Sequence, residues 1–215
     1  MKKMTALLLV LLLALSCAAY ADVYEQEIRF QGIAWNWRLR EMVNAHRVED
    51  ESVSPAEAHD VAYYLYGEAD KHKFTSPIVV MKSLPVSEAA GYELEEAYMY
   101  FVKTPDEKGN VMNADALRLK PICGVYVLKN YGSAVFDDIT AKLTSLYGDV
   151  DFTYETKEGN WKGKKANRRS NVWYGAGSTM VSVSYYTGWG TTITYSYEGA
   201  DELLKKASYG NLSGL

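Results

Sequence analysis

Residues 171–197 read NVWYGAGSTMVSVSYYTGWGTTITYSY. From Met180 onward apolar and hydroxyl side chains alternate with a period of two, the spacing that puts successive residues on opposite faces of a strand. Val181, Val183 and Tyr185 fall on one face with Ile193, Tyr195 and Tyr197, whereas Ser182, Ser184, Thr192, Thr194 and Ser196 fall on the other. The pattern predicts antiparallel strands with one apolar and one wet face, joined by glycine turns at GAGS and TGWG. On this reading Tyr185, Tyr195 and Tyr197 are core. Tyr186, on the polar side, and Trp189, in the turn, are candidates for contact with a partner. The glycines and hydroxyls of GAGST do not make a phosphate cradle, because a strand follows them rather than a helix N-terminus.

Immediately upstream, KEGNWKGKKANRRSN (157–171) carries Lys157, Lys162, Lys164, Lys165, Arg168 and Arg169 in an otherwise acidic chain. Its glycines and charges predict a long solvated loop between two strands. With Trp161 as an apolar anchor, such a loop also suits contact with an anionic envelope surface or an acidic exported protein.

Further upstream, SAVFDDITAKLTSLYGD (133–149) places Phe136, Ile139, Leu143 and Leu146 on one helical face, with Gly148 positioned to end the helix in a left-handed turn. Strands are predicted for PIVVMKS, GYELEEAYMYFVK, ALRLKPICGVYVLKN and DFTYE, with TPDEKGN as a turn. Pro121 inside the third of these predicts a bulge or an edge. Ser54, Pro55 and Glu57 form a helix-start signature, predicting a helix over 55–70. ADELLKKA predicts a short tail helix.

Nearer the N-terminus, VYEQEIRFQ reads as a short strand and NWRLREMVNAH as an amphipathic helix with Leu39, Met42, Val43 and His46 on one side. Between them lies FQGIAWNW (30–37). Trp35 is four residues before Leu39 and belongs to the buried stripe; Trp37 falls beside Arg40 and Glu41 and is expected to be partly exposed.

The first 21 residues, MKKMTALLLVLLLALSCAAYA, combine two lysines, an apolar run too short for a permanent span, and small residues around Ala19 and Ala21. They read as a signal peptide, and the protein is expected to be exported. A lipoprotein reading at Cys17 is weaker, since Ala14 and Leu15 stand in the reverse of the usual order. Cleavage after Ala21 takes the formal charge from −4 to −6, which argues against a nucleic-acid surface, and leaves Cys123 as the one remaining cysteine. No intrachain disulfide is then available, and Cys123 among apolar neighbours reads as a buried small hydrophobe.

No catalytic pattern emerges. His46, His59 and His72 show no HxxxH, HxH or CxxC spacing, so neither a metal nor another cofactor is expected. The stretches FQGIAWNW, AAGYELEEAYMYF and FDDITAKLTSLYGD resemble a group of uncharacterised exported proteins of Gram-positive gut bacteria. Their pattern is a Phe-x-Gly-Ile-Pro-Trp-Gly corner and a Lys-Leu-x-x-x-Tyr-Gly helix end; here Ala34 and Asn36 replace the proline and the second glycine. The helix-plus-meander order is also similar to the tandem units of the β-lactamase inhibitory protein and of small outer-membrane assembly lipoproteins. That resemblance implies protein binding through a sheet face.

The expected architecture is α+β, with antiparallel sheet and helices packed on one face, arranged as a signal peptide (1–21) and two related units (22–132 and 133–215) that can share one compact domain. The expected function is a non-catalytic binding or structural protein of the envelope or extracellular space. The alternatives are an extracytoplasmic hydrolase with a dispersed site and an inhibitor-like partner of a secreted enzyme. The candidate contact surface is Trp37, Trp161, Lys162, Lys164, Lys165, Arg168, Arg169, Tyr186 and Trp189.

Overall fold

The computed structural model describes residues 26–48, 53–56, 61, 64–65, 78–82, 84–103, 119–129, 132–161, 164–200 and 202–203, with 157–161 and 164–166 described by their backbone. Residues 1–21, expected as a signal peptide, with Cys17, His59, His72, Lys162 and the expected turn 104–110 lie outside these residues, as does most of the stretch expected as a tail helix.

The described strands are β1 (Ser54–Pro55), β2 (Ile78–Met81), β3 (Glu88–Ala89), β4 (Tyr92–Lys103), β5 (Leu119–Leu128), β6 (Phe152–Trp161), β7 (Lys164–Gly175), β8 (Thr179–Tyr186) and β9 (Gly190–Tyr197). Their order is β1-β2-β4-β5-β9-β8-β7-β6, with β3 paired to β4, and every pairing is antiparallel. Helices α1 (Leu39–Asn44) and α2 (Ser133–Tyr147) join them among the described residues, giving an α+β fold. Because β5 pairs with β9, strands from before and after residue 132 share one continuous sheet.

Register places the alternating residues of 180–197 as their period requires. Val181 stands opposite Tyr195 and Val183 opposite Ile193, and both valines and Ile193 are buried. Phe136, Ile139 and Leu143 of α2 and Leu39 and Met42 of α1 join them in the same core, as do Phe30 and Trp35. The opposite face carries a second core of Val80, Tyr98, Tyr100, Cys123 and Val125, covered by the helical residues Val61 and Tyr64 and by Ala200.

The N-terminal segment departs from the expected strand. Only Phe30 makes a β-bridge, to Ile33 across a turn at Gln31 and Gly32. The segment's polar backbone groups are satisfied elsewhere: Ile28 N–H donates to Thr179 Oγ1 at 2.8 Å and Ala176 N–H to the Gln26 carbonyl at 3.1 Å. Two glycines admit this segment. A Cβ on Gly124 would lie 2.2 Å from Phe30 Cγ, and one on Gly175 would lie 2.6 Å from Ile28 Cγ1.

Three further readings change. Ser54 and Pro55 do not begin a helix but form β1, against Val80 and Val79; proline is tolerated there because an edge strand need not donate on its outer side. Helical residues nevertheless appear at 61, 64 and 65. Leu146 ends the stripe of α2 but is 73% exposed, lining an open cleft with Leu143 while Tyr147 takes the core side of the last turn. Pro121 does mark a bulge: Phe101 pairs with Pro121 and Tyr100 with Cys123, leaving Ile122 extra. The carbonyls freed there accept from β9, Ser196 Oγ to Ile122 at 3.1 Å and the Tyr197 hydroxyl to Pro121 at 3.2 Å. Gly148 ends α2 at φ 87°, ψ −163°, a positive-φ conformation open essentially to glycine alone.

Candidate binding surface on the β6–β7 hairpin

The segment expected as a loop between strands is mostly ladder. β6 and β7 pair from Phe152 opposite Val172 to Trp161 opposite Lys164, with a register irregularity between Thr156 and Gly159. Pairing of β7 to β8 begins only at Arg168 opposite Tyr186. The hairpin therefore runs on past β8 as a two-stranded arm of about 10 Å, by the strand rise per residue. Trp161, Lys164 and Lys165 sit on that arm. β6 is the last strand in the sheet order.

Alternation divides the two arginines. Arg169 lies on the helix side, near Asp137 of α2 at 3.7 Å and Glu155 at 3.5 Å, with its guanidinium over the Phe136 ring at 4.8 Å. It fastens the hairpin to α2, a role its place in a basic run does not suggest. Arg168 lies on the opposite face and is 7% exposed. Its Nη2 donates to Ser184 Oγ at 3.1 Å, and its guanidinium lies 5.7 Å from the Tyr154 ring centre and 5.6 Å from that of Tyr186. Ser170 and Ser184, cross-strand partners, share a 2.7 Å hydrogen bond.

The hydroxyl face expected to be wet is therefore closed over much of its length. Ser184, Thr192, Thr194 and Ser196 are all buried, and Tyr186, expected as a contact residue, is buried with them. Hydroxyls tolerate this because they bond to one another and to spare carbonyls. Burial pushes the Tyr186 hydroxyl pKa up, while Arg168 and Ser184 oppose the rise. Trp189 is half-buried against the second core rather than freely presented.

Exposed apolar area on this face lies at the other end of the hairpin. Phe152 is 54% and Tyr174 47% exposed, and with Leu146 they are the large hydrophobics exposed among the described residues. Phe152 stands opposite Val172, two residues from Tyr174, so the pair adjoins across β6 and β7. Both fall in stretches expected as strand, DFTYE and NVWYG; alternation pairs them on one face but does not show that this end of the face is uncovered.

The two tryptophans of FQGIAWNW separate as expected. Trp35 is 6% exposed and donates Nε1–H to the Ile28 carbonyl at 2.9 Å. Trp37 is half-buried beside a cavity of about 700 Å³ that Glu27, Arg29 and Lys120 also line. A second cleft, of about 620 Å³, lies between α2 and the β3–β4 turn over Tyr126, Ile193 and Tyr195. Burial pushes Tyr126 up to about 12 and raises Tyr195 too; the nearby Gln31 side chain tempers the first. The Gln31 amide nitrogen itself is buried without a partner of hydrogen-bonding geometry. Lys142 closes one rim by bonding Asp138 at 2.7 Å and the Ala90 carbonyl at 2.8 Å.

Among the described residues no cluster of histidine, cysteine and carboxylate side chains stands ready to hold a metal, and no helix is long and apolar enough to cross a membrane. Cys123 is buried and burial pushes its thiol pKa far up, so it is held as the neutral thiol. In comparisons with known proteins, no family model, no curated protein and no solved structure matches this chain.

Proposed function

We propose that this is an exported, non-catalytic binding protein that meets an acidic protein partner with the outer face and basic arm of its β6–β7 hairpin. The observation that carries this is the company kept by Phe152 and Tyr174. Two exposed aromatics stand at one end of an edge hairpin whose residues 157–169, toward the other end, hold six basic side chains and one acidic one. Aromatic residues and arginine are the types that dominate interface energetics, and a cluster of one charge sign steers an oppositely charged partner. Export rests on the apolar leader and its small-residue cleavage site.

The test uses a fluorescein-labelled, N-acetylated hexaglutamate peptide and fluorescence polarisation. Binding is expected at low ionic strength, weakening as salt rises. Replacing Lys162, Lys164 and Lys165 by Gln together should cost at least ~10-fold in affinity, by the strength of several such contacts. Absence of binding at low salt, or equal binding by the triple variant, overturns the proposal.

A further inference from the structure

Arg168 presents a problem that the rest of the fold does not solve. A guanidinium cannot shed its charge, and a buried charge is costly unless an opposite charge and hydrogen bonds compensate it. Arg169, far more exposed, has two carboxylates near it. Arg168 has the Ser184 hydroxyl, the Tyr186 hydroxyl and two tyrosine rings, and among the side chains that are described no carboxylate pairs with it. Its Nε is buried without a hydrogen-bond partner, and so is Oγ1 of Thr156, its neighbour directly across the ladder. Two unsatisfied polar atoms thus belong to cross-strand neighbours at the foot of the arm.

We infer that Arg168 is the receptor for a carboxylate side chain of an acidic polypeptide, which enters from the β6 side and lies against the Nε edge of the guanidinium between Tyr154 and Tyr186. The inference rests on the reading of this hairpin as the contact surface and gives it a specific anchor. Entry from β6 follows from the strand order and from burial. Thr156 and Tyr154 belong to the last strand of the sheet order, both are only half-buried, and the register irregularity begins at Thr156. Approach from that edge leaves the ladder to β8 intact. The incoming group is planar and anionic: the rings stand on either side of the guanidinium, and a carboxylate accepts from Nε–H and from the Thr156 hydroxyl in one plane. A polypeptide, rather than a free acid, suits the exposed Phe152 and Tyr174 farther along the same hairpin.

The experiment titrates ¹⁵N-labelled protein with N-acetylated hexaglutamate and follows the Arg168 Nε–Hε resonance together with the backbone amides of 152–175. Expected is a saturable shift of the Arg168 side-chain resonance in step with the hairpin amides. Arg168→Gln should lose at least ~30-fold in affinity, the scale of truncating one member of a buried charge pair, and Arg168→Lys should recover part of it. Movement of the arm amides with an unmoved Arg168 resonance overturns this inference and leaves the hairpin reading standing; no movement anywhere overturns both. Phosphatidylglycerol vesicles form the second arm. If they shift the Arg168 resonance and the peptide does not, a lipid surface replaces the polypeptide and the assignment fails. The wild-type titration decides the matter even if Arg168→Gln does not fold.

Discussion

Replacing Gly124 by alanine tests how the N-terminal segment is built into the sheet. Glycine in mid-strand normally weakens a sheet, and Gly→Ala at a compatible backbone stabilises by about 0.4–1 kcal/mol through the unfolded chain. Here the added methyl would lie 2.2 Å from Cγ and 2.4 Å from both Cδ atoms of Phe30, more than an ångström inside contact distance at three ring atoms. The ring has little room to withdraw. It is fully buried, packs at 4.8 Å against Tyr126 and 5.7 Å against Tyr195, and its carbonyl is tied to Ile33 N–H at 2.9 Å. Overpacking of a tight core costs about 1–3 kcal/mol, and complete expulsion of the ring approaches the 3–5 kcal/mol range of Phe→Ala. After the favourable backbone term, a net loss of about 2–3 kcal/mol is expected, read from urea denaturation midpoints at constant m. Phe30→Leu in the same background should relieve part of it, so that the double variant is less destabilised than the sum of the singles by about 1 kcal/mol. A Gly124→Ala protein as stable as the wild type, or additive behaviour in the double variant, would refute the claim that Phe30 is seated on the bare backbone of β5.

The remaining predictions concern hydrogen bonds and titration. Trp35→Phe removes the indole bond to the Ile28 carbonyl and should cost about 1–2 kcal/mol in the same denaturation assay, without changing the fold by circular dichroism. Tyr126 is raised above its unfolded value, so its contribution is intact below about pH 10 and declines toward pH 12 by about 1.4 kcal/mol per pH unit. Tyr126→Phe should flatten the alkaline arm of the stability curve by that slope, and an unchanged slope would count against the burial. Asp138 is held below the ordinary carboxylate value, first by Lys142 and then by the Tyr92 hydroxyl, so its clasp is present above about pH 4 and lost below it. Hydrogen exchange at the β3–β4 turn should then accelerate as pH falls through that range. Cys123 should react with a thiol reagent only at the rate of global unfolding, and rapid labelling of the native protein would contradict its burial.

Local periodicity was enough for the strands β8 and β9, for α2 and for the apolar side of the sheet, because each has an unbroken period along its own residues. Ser54 and Pro55 misled because a cap signature is local, whereas pairing with Val79 and Val80 is decided by residues more than twenty positions away. Residues 157–171 read as a loop because lysine, asparagine and glycine disfavour strands, yet antiparallel partners on β8 and β6 override that preference. Once the segment is taken as strand, alternation alone separates Arg168 from Arg169. What alternation does not provide is depth: serine and threonine along β8 and β9 mark a polar face, and whether that face is covered depends on chain that is distant in sequence. The tryptophans at 35 and 37 were separable because a helix follows them directly, and Trp35 falls in phase with Leu39.

The most direct test of the proposed role of the hairpin is a hydrogen-exchange footprint of the intact protein with and without saturating hexaglutamate peptide. The account predicts added protection concentrated in Phe152–Gly175, greatest around Thr156 and Arg168, with little change in α2 or in the strands β2, β4 and β5. Protection centred on the cleft between α2 and the β3–β4 turn, or no protection in the hairpin at saturation, would contradict it.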